Sequence, residues 1–298
     1  MRLNIGDWFA SMINWMLANF GGFFDAVSWL VNLLVGEVAN VLIGLHPFLV
    51  IAVLAAAAAA LTRSLGLTVF SVLAFLLIVS MGLWPEAMST LAVVLVSVVF
   101  SLAIGIPMGI WAALNNTVSK IVRPVLDLMQ AMPVFVYLIP AVFFFGVGMV
   151  PGIAATIVFA IPPAVRLTEL GIRKLDLELL EAATAFGAKR SLILKDVQLP
   201  LAFPSIMAGV NQVIMLALSM VVVAGLVGAG GLGGVVVQGV AQLDTARGFE
   251  GGVAVVILAV YLDRVTSGAQ SLGDVLRRRR TRKEQRAAAA SDPAAAVS

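Results

Sequence analysis

Long apolar runs, nearly bare of charge, leave this chain little choice of environment. A helix needs about 20 apolar residues to cross the hydrocarbon core of a bilayer. By that measure about seven segments stand out, near 47–62, 65–83, 87–114, 124–145, 150–165, 201–227 and 249–265. Only 12% of the 298 residues are charged, and 61% are hydrophobic. A soluble domain carries about 25% charged residues, and half that supply cannot cover a water-facing surface. A soluble enzyme, a nucleic-acid-binding domain and a disordered scaffold are thereby excluded. The expected fold is all-α, a polytopic, multi-pass protein of the cell (inner or plasma) membrane. With no cysteine in the chain, disulfides, thiolate metal sites and cysteine nucleophiles are ruled out. No metal or cofactor site is expected. The first ten residues lack the basic-then-apolar order of a secretory signal, so the chain reads as mature.

Orientation follows from the basic residues, which favour the cytoplasmic side. Placing the segment between spans five and six inside gathers Arg166, Arg173, Lys174, Lys189, Arg190 and Lys195 there. Alternation then puts Arg63, Lys120, Arg123 and the C-terminal end inside as well, and of 19 basic residues only Arg2 and Arg247 fall outside. The expected topology is N-out, C-in. Residues 1–45 carry a polar stripe of Asp7, Ser11, Asn14, Asp25, Ser28 and Asn32 at helical spacing among tryptophans and phenylalanines. This predicts an amphipathic extension at the membrane interface, divided into two helices at Gly21-Gly22. A spanning helix near 27–45 competes with it, opposed by Asn32, Glu37 and Asn40. Residues 46–272 form the transmembrane domain, and 273–298 a basic cytoplasmic tail suited to anionic lipid.

The segment 171–199 is too long and too regular for a simple turn. Leucines and alanines recur at helical spacing with charges between them, which predicts two short amphipathic helices hinged near Gly187. Within it, Glu181-Ala182-Ala183, three residues, Gly187, nine residues and Val197-Gln198-Leu199-Pro200 follow in order. The small alanines permit close approach of another surface, Gly187 permits a sharp hinge, and Pro200 suits the first turn of the next span.

This pattern resembles the EAA signature of the permease subunits of ABC importers, EAA-x3-G-x9-I-x-LP, with Val197 in place of isoleucine. The resemblance implies a type I importer fold in which Glu181, Ala182, Ala183, Gly187, Leu199 and Pro200 belong to a cytoplasmic coupling hairpin that docks on an ATPase subunit. Two further stretches narrow it. The run Gly225-Leu226-Val227-Gly228-Ala229-Gly230-Gly231-Leu232-Gly233 with Gln242-Leu243-Asp244, and the run Asp127 to Pro140, are similar to permeases for glycine betaine, proline betaine, choline, carnitine or proline. The resemblance covers about residues 87–272, and the chain is identified as a member of that permease group.

What the resemblance implies is a non-catalytic transport subunit. ATP and magnesium would sit on a separate ATP-binding cassette subunit, and an extracellular or periplasmic binding protein would deliver the solute. A second permease copy, a homodimer partner, would complete the pathway. The glycine loop, with Gly228, Gly230, Gly231 and Gly233, lacks the GK[ST] of a nucleotide site and is expected to fold over the outer pathway mouth.

Polar or soft groups inside spans are the candidates for the pathway: Gln130, Met132, Pro133 and Tyr137 in one span, Asn211, Gln212 and Ser219 in another. Methionines, aromatic faces and neutral dipoles suit a quaternary ammonium ion, and no membrane-embedded acid pair stands out. A permease for another small solute such as methionine is the alternative. An ion-coupled secondary transporter is a weaker one, because it calls for charged groups near the midplane.

Overall fold

A computed structural model describes residues 5–291 except 176 and 186, and every regular element among the described residues is helical. The reason is the solvent. Inside a bilayer no water satisfies a backbone N–H or C=O, so the chain must close its own hydrogen bonds. The helices are α1 (Ile5–Gly44), α2 (Pro47–Thr62), α3 (Leu65–Ser80), α4 (Trp84–Leu114), α5 (Asn116–Ala131), α6 (Val134–Phe145), α7 (Met149–Arg173), α8 (Leu177–Ala185), α9 (Arg190–Leu192), α10 (Leu199–Gly225), α11 (Gly231–Gln242) and α12 (Thr245–Ser291).

Each interruption has a local cause. Pro47 starts α2, whose last turn closes when the Arg63 N–H, in a left-handed conformation, bonds to the Ala59 carbonyl. Asn115 caps α5 by accepting the N–H groups of Thr117 and Val118 at 2.9 and 3.3 Å. Pro133 breaks the next apolar stretch. A residue before proline is driven to extended backbone, and Met132 sits at φ −76, ψ 137. As a result α5 and α6 meet at 97°.

The count of spans differs from the expected seven. Among the described residues five helices are long and apolar enough to cross a membrane: α1, α4, α7, the run Arg190–Gly225 and the Thr245–Ala269 part of α12. The bent pair α5–α6 makes a sixth if taken as one span. Two expected spans, α2 and α3, are helices of 16 residues, which at 1.5 Å per residue reach about 24 Å, short of a core about 30 Å thick.

α1 divides into two helical stretches at Phe20 (φ −122, ψ 17), beside the Gly21-Gly22 pair where the break was expected, since glycine is a poor helix former. Its later half joins the bundle rather than standing apart. Val31, Val35 and Ala39 pack with Ala92, Val93 and Val96 of α4 and Val150 and Ile153 of α7. Phe24 stacks on Phe144 with ring centroids 4.5 Å apart. α12 continues as helix to Ser291; the remaining tail residues 292–298 lie outside the described ones.

The centre of the bundle is α7, held between α4 and α10. Gly105 lies against Ala164 and Gly109 against Thr168, so α4 and α7 run parallel; Gly171 lies against Ser205 and Gly152 against Ala224, so α10 returns antiparallel. A Cβ added at Gly109 would stand 2.7 Å from both the Thr168 Cβ and the Val165 carbonyl oxygen, and one at Gly171 2.7 Å from the Ser205 Cβ. Such distances exist only because the glycines carry no side chain, which is how small residues bring membrane helices together. Two ends of the bundle can now be named. The basic end holds Arg63, Asn115, Arg173 and the 174–198 segment; the glycine end holds Glu86, Gly148 and the Gly225–Gly231 loop.

Gly109→Val should therefore force α4 off α7, costing about 1–3 kcal/mol, the usual penalty of overpacking. Thermal unfolding of the detergent-solubilised protein, followed by gel filtration, checks this. Gly22→Ala, at a position with nothing within 4 Å, should leave the midpoint unchanged or slightly raised. Equal midpoints for both variants would overturn the close-packing account.

Candidate functional site

The segment carrying the EAA pattern leaves the basic end of α7. α8 begins at Leu177, and its exposed Glu181 and half-buried Ala183 stand within the helix; the side-chain setting of Ala182, and Phe186 altogether, lie outside the described residues. Gly187 follows, exposed, at φ 75, with nothing within 4 Å of a would-be Cβ. That conformation favours glycine strongly, and it reverses the chain as the spacing suggests.

The second expected helix is not a separate one. α9 passes through a π-helical stretch, Ile193–Gln198, directly into α10, so that the run Arg190–Gly225 is continuous over 36 residues. Leu199 and Pro200 thus lie within a helix that has already begun. A proline ring collides with the carbonyl four residues back in an α-helix, and the wider π turn just before Pro200 accommodates it.

The 97° bend gathers part of the proposed pathway set. Met132 packs with buried Tyr137, Leu138 and Ala141, with Ala155 of α7 and with Met220 of α10. Tyr137 donates its hydroxyl to the Met129 carbonyl, one of those that α5 leaves unsatisfied at its end, and its ring meets Phe159 edge-on. Pro133 and Gln130 are exposed beside the bend. The α10 candidates are not brought to the same place. Asn211 donates to Ser267 of α12 at 3.4 Å, Ser219 bonds back to the Met215 carbonyl of its own helix, and Gln212 is exposed.

At the other end the glycine loop is a fitted joint. Gly228, Gly230 and Gly231 all have positive φ. Gly233 is helical instead, and its place is set by contact: it packs backbone to backbone on Val221, and Gly225 packs on Gly233, which closes α11 against α10. One of the free N–H groups in the first turn of α11, from Leu232, donates to the buried Thr90 hydroxyl of α4 at 2.8 Å. The Gly148 N–H donates to the Val227 carbonyl at 2.8 Å, which ties the start of α7 to the same loop.

A cluster that sequence reasoning missed lies at the basic end. Glu169 of α7 is only 3% exposed, and one carboxylate oxygen, Oε1, accepts three donors. These are the Ser119 hydroxyl at 2.6 Å, the Arg123 guanidinium at 2.9 Å and the Arg173 Nε at 2.9 Å. Arg173 also donates to the Asn116 side chain at 2.8 Å and to the Ala112 carbonyl at 2.7 Å. One turn further along, Arg166 pairs with Asp127. A cavity of about 420 Å³ opens between the two helices, lined by these arginines and acids and by Leu170. Charge is thus present at the basic ends of α5 and α7, with each acid paired to an arginine. The signal was in the spacing. Ser119, Arg123 and Asp127 are four apart, while Arg166, Glu169 and Arg173 are three and four apart, so each set makes one helical stripe.

Comparison with known proteins closes the question of family. Residues 105–278 match the family described as the binding-protein-dependent transport system inner membrane component. The chain is 47% identical over 267 residues to the glycine betaine transport system permease protein OpuAB of Bacillus subtilis, covering 89% of this chain and 94% of the relative. It is 44% identical over 262 residues to the glycine betaine/proline betaine transport system permease protein ProW of Escherichia coli, covering 88% and 74%. Among solved structures, the MetNI methionine ABC transporter in an inward-facing conformation matches with a TM-score of 0.54 at 25% identity, over 66% of this chain and 94% of that one. This multi-pass helical chain belongs to the family of inner-membrane permease components of binding-protein-dependent ABC transport systems.

Proposed function

We propose that this chain forms the translocation pathway of an ATP-driven importer for betaine-type compatible solutes, small zwitterions that carry a quaternary ammonium group. The observation that carries the reading is the 47% identity over nearly the whole length of a glycine betaine permease. A glycine betaine/carnitine permease of Listeria monocytogenes, 45% identical over 265 residues, supports the same chemical class. The methionine transporter shares the fold at lower identity, 25%.

In this reading the basic end faces the cytoplasm, in keeping with the distribution of arginine and lysine. α8, with Glu181, Ala182 and Ala183, docks on a separate ATP-binding cassette subunit, and Gly187 turns the chain back towards α10. An extracellular or periplasmic binding protein delivers solute at the glycine end, and a second copy of the chain completes the channel. ATP and magnesium belong to the ATPase, whose closure biases the permease between inward- and outward-facing states. Solute selection rests largely on the delivering protein. The pathway then needs only weak contacts, for which the sulfur, aromatic and amide groups of Met132, Tyr137, Gln130 and Gln212 suit a trimethylammonium ion.

Co-expression with the partner genes should give ATP-dependent uptake of labelled glycine betaine, with unlabelled proline betaine or carnitine competing and methionine not. Competition by methionine alone would overturn the solute class. Gly187→Val should lower uptake by about tenfold or more, since left-handed backbone costs a branched residue 1–2 kcal/mol or more, while the protein still reaches the membrane. Undiminished uptake would remove Gly187 from the coupling role.

A further inference from the structure

We propose that Glu169 is a positioning residue: with Ser119, Arg123 and Arg173 it forms a fixed joint that makes the bent helix pair α5–α6 move with the base of the 174–198 segment. The proposal rests on the reading of the chain as a coupled transport subunit. Several features support a joint rather than a chance ion pair.

The first is burial. A carboxylate at 3% exposure is strongly unfavourable if left unpaired, so the site is stable only while its donors stay in place. The second is convergence. Three donors from two helices meet at a single oxygen, and charge-assisted bonds are about twice as strong as neutral ones. The third is reach. Arg173 is the last residue of α7, immediately before the segment that bears α8, and its guanidinium also holds Ala112 of α4 and Asn116 at the start of α5. One arginine therefore fastens the ends of three helices. The Arg166–Asp127 pair adds a second tie between the same two helices, nearer the bend.

The direction of transmission follows from the connections. Nothing covalent links α8 to the bend at 131–133 except the path back through α7, α6 and their linker. Across the joint, the path passes from α7 directly to α5 and along α5 to the bend. A displacement of the 174–198 segment pulls Arg173, Arg173 carries Glu169 and the α4–α5 turn, and α5 carries Met132, Pro133 and Tyr137 with it. Energetic coupling of this sort needs a contiguous set of contacts whose removal changes it, and the joint supplies one.

The test uses the absence of native cysteine in the chain. Spin labels are placed on Ile121→Cys, 64% exposed on α5, and Lys174→Cys, exposed just after α7, in the full chain reconstituted in nanodiscs. In the parent the distance distribution should be narrow. Glu169→Gln, which keeps the shape but removes the charge, should roughly double its width, as independent motion of the two helices requires. In the assembled complex E169Q should lower uptake by about tenfold or more, in line with the loss of bonds to a charged group, while basal ATP hydrolysis persists and no longer responds to the loaded binding protein. Where E169Q fails to accumulate, Ser119→Ala, which removes one of three donors, carries the same readings with a loss of about two- to fivefold.

An unchanged label width overturns the joint whatever solute is carried, and a broadened width with normal uptake overturns its part in coupling. Parallel loss of uptake and basal hydrolysis would also count against it, because a purely structural defect lowers both. Failure of the parent complex to take up any betaine would instead defeat the solute reading, with the label distances still deciding the joint.

Discussion

In a bilayer the hydrophobic effect does not press one helix against another, so the approach of α4, α7 and α10 depends on dispersion between surfaces with nothing in the way. Glycines at 105, 109, 152 and 171 clear those surfaces, and Ala164, Thr168, Ser205 and Ala224 fill the space they leave. The parallel course of α4 and the antiparallel course of α10 are fixed by these contacts along α7. The basic end and the glycine end of the chain are then placed at opposite ends of one helix, α7. α1 and α6 are added to this core through larger side chains, the phenylalanines and valines that face it.

The departures from plain α-helix fall where function is proposed. The bend at Met132-Pro133 frees carbonyls at the end of α5, one of which Tyr137 satisfies. The π turn at Ile193–Gln198 lets a proline follow without breaking the helix. The glycine loop satisfies a first-turn donor of α11 with a threonine from another helix. The bend and the glycine loop are tolerated inside the bundle because another element supplies a missing hydrogen bond.

Much of this was legible in the sequence, and unevenly so. The apolar runs identified the environment, and the spacing of Glu181, Gly187 and Pro200 identified the family, because both signals are local. Gly187 was legible as a hinge, and it stands at φ 75 just past the end of α8. The break beside Gly21-Gly22 was legible too, because a glycine pair weakens a helix locally; that the later half of α1 packs on α4 and α7 was not. The bounds of α2 were read as they stand and α3 ends three residues short of 83, but at 16 residues each falls below the length a full crossing requires. Glu169 was passed over. Its meaning lies in a stripe on α5, about 50 residues away, and only the antiparallel packing of α5 on α7 turns two stripes into one cluster.

The glycine end carries one more consequence. There the chain recognises itself through what is missing, with Gly225 on Gly233, Gly233 on Val221, and the Gly148 N–H on the Val227 carbonyl. A surface assembled from absent side chains has no alphabet to vary, since nearly any substitution only adds volume. Gradual divergence in what such a protein carries cannot be written into this seam. Variation is admitted by the larger side chains around the seam, where a substitution can remove volume as well as add it.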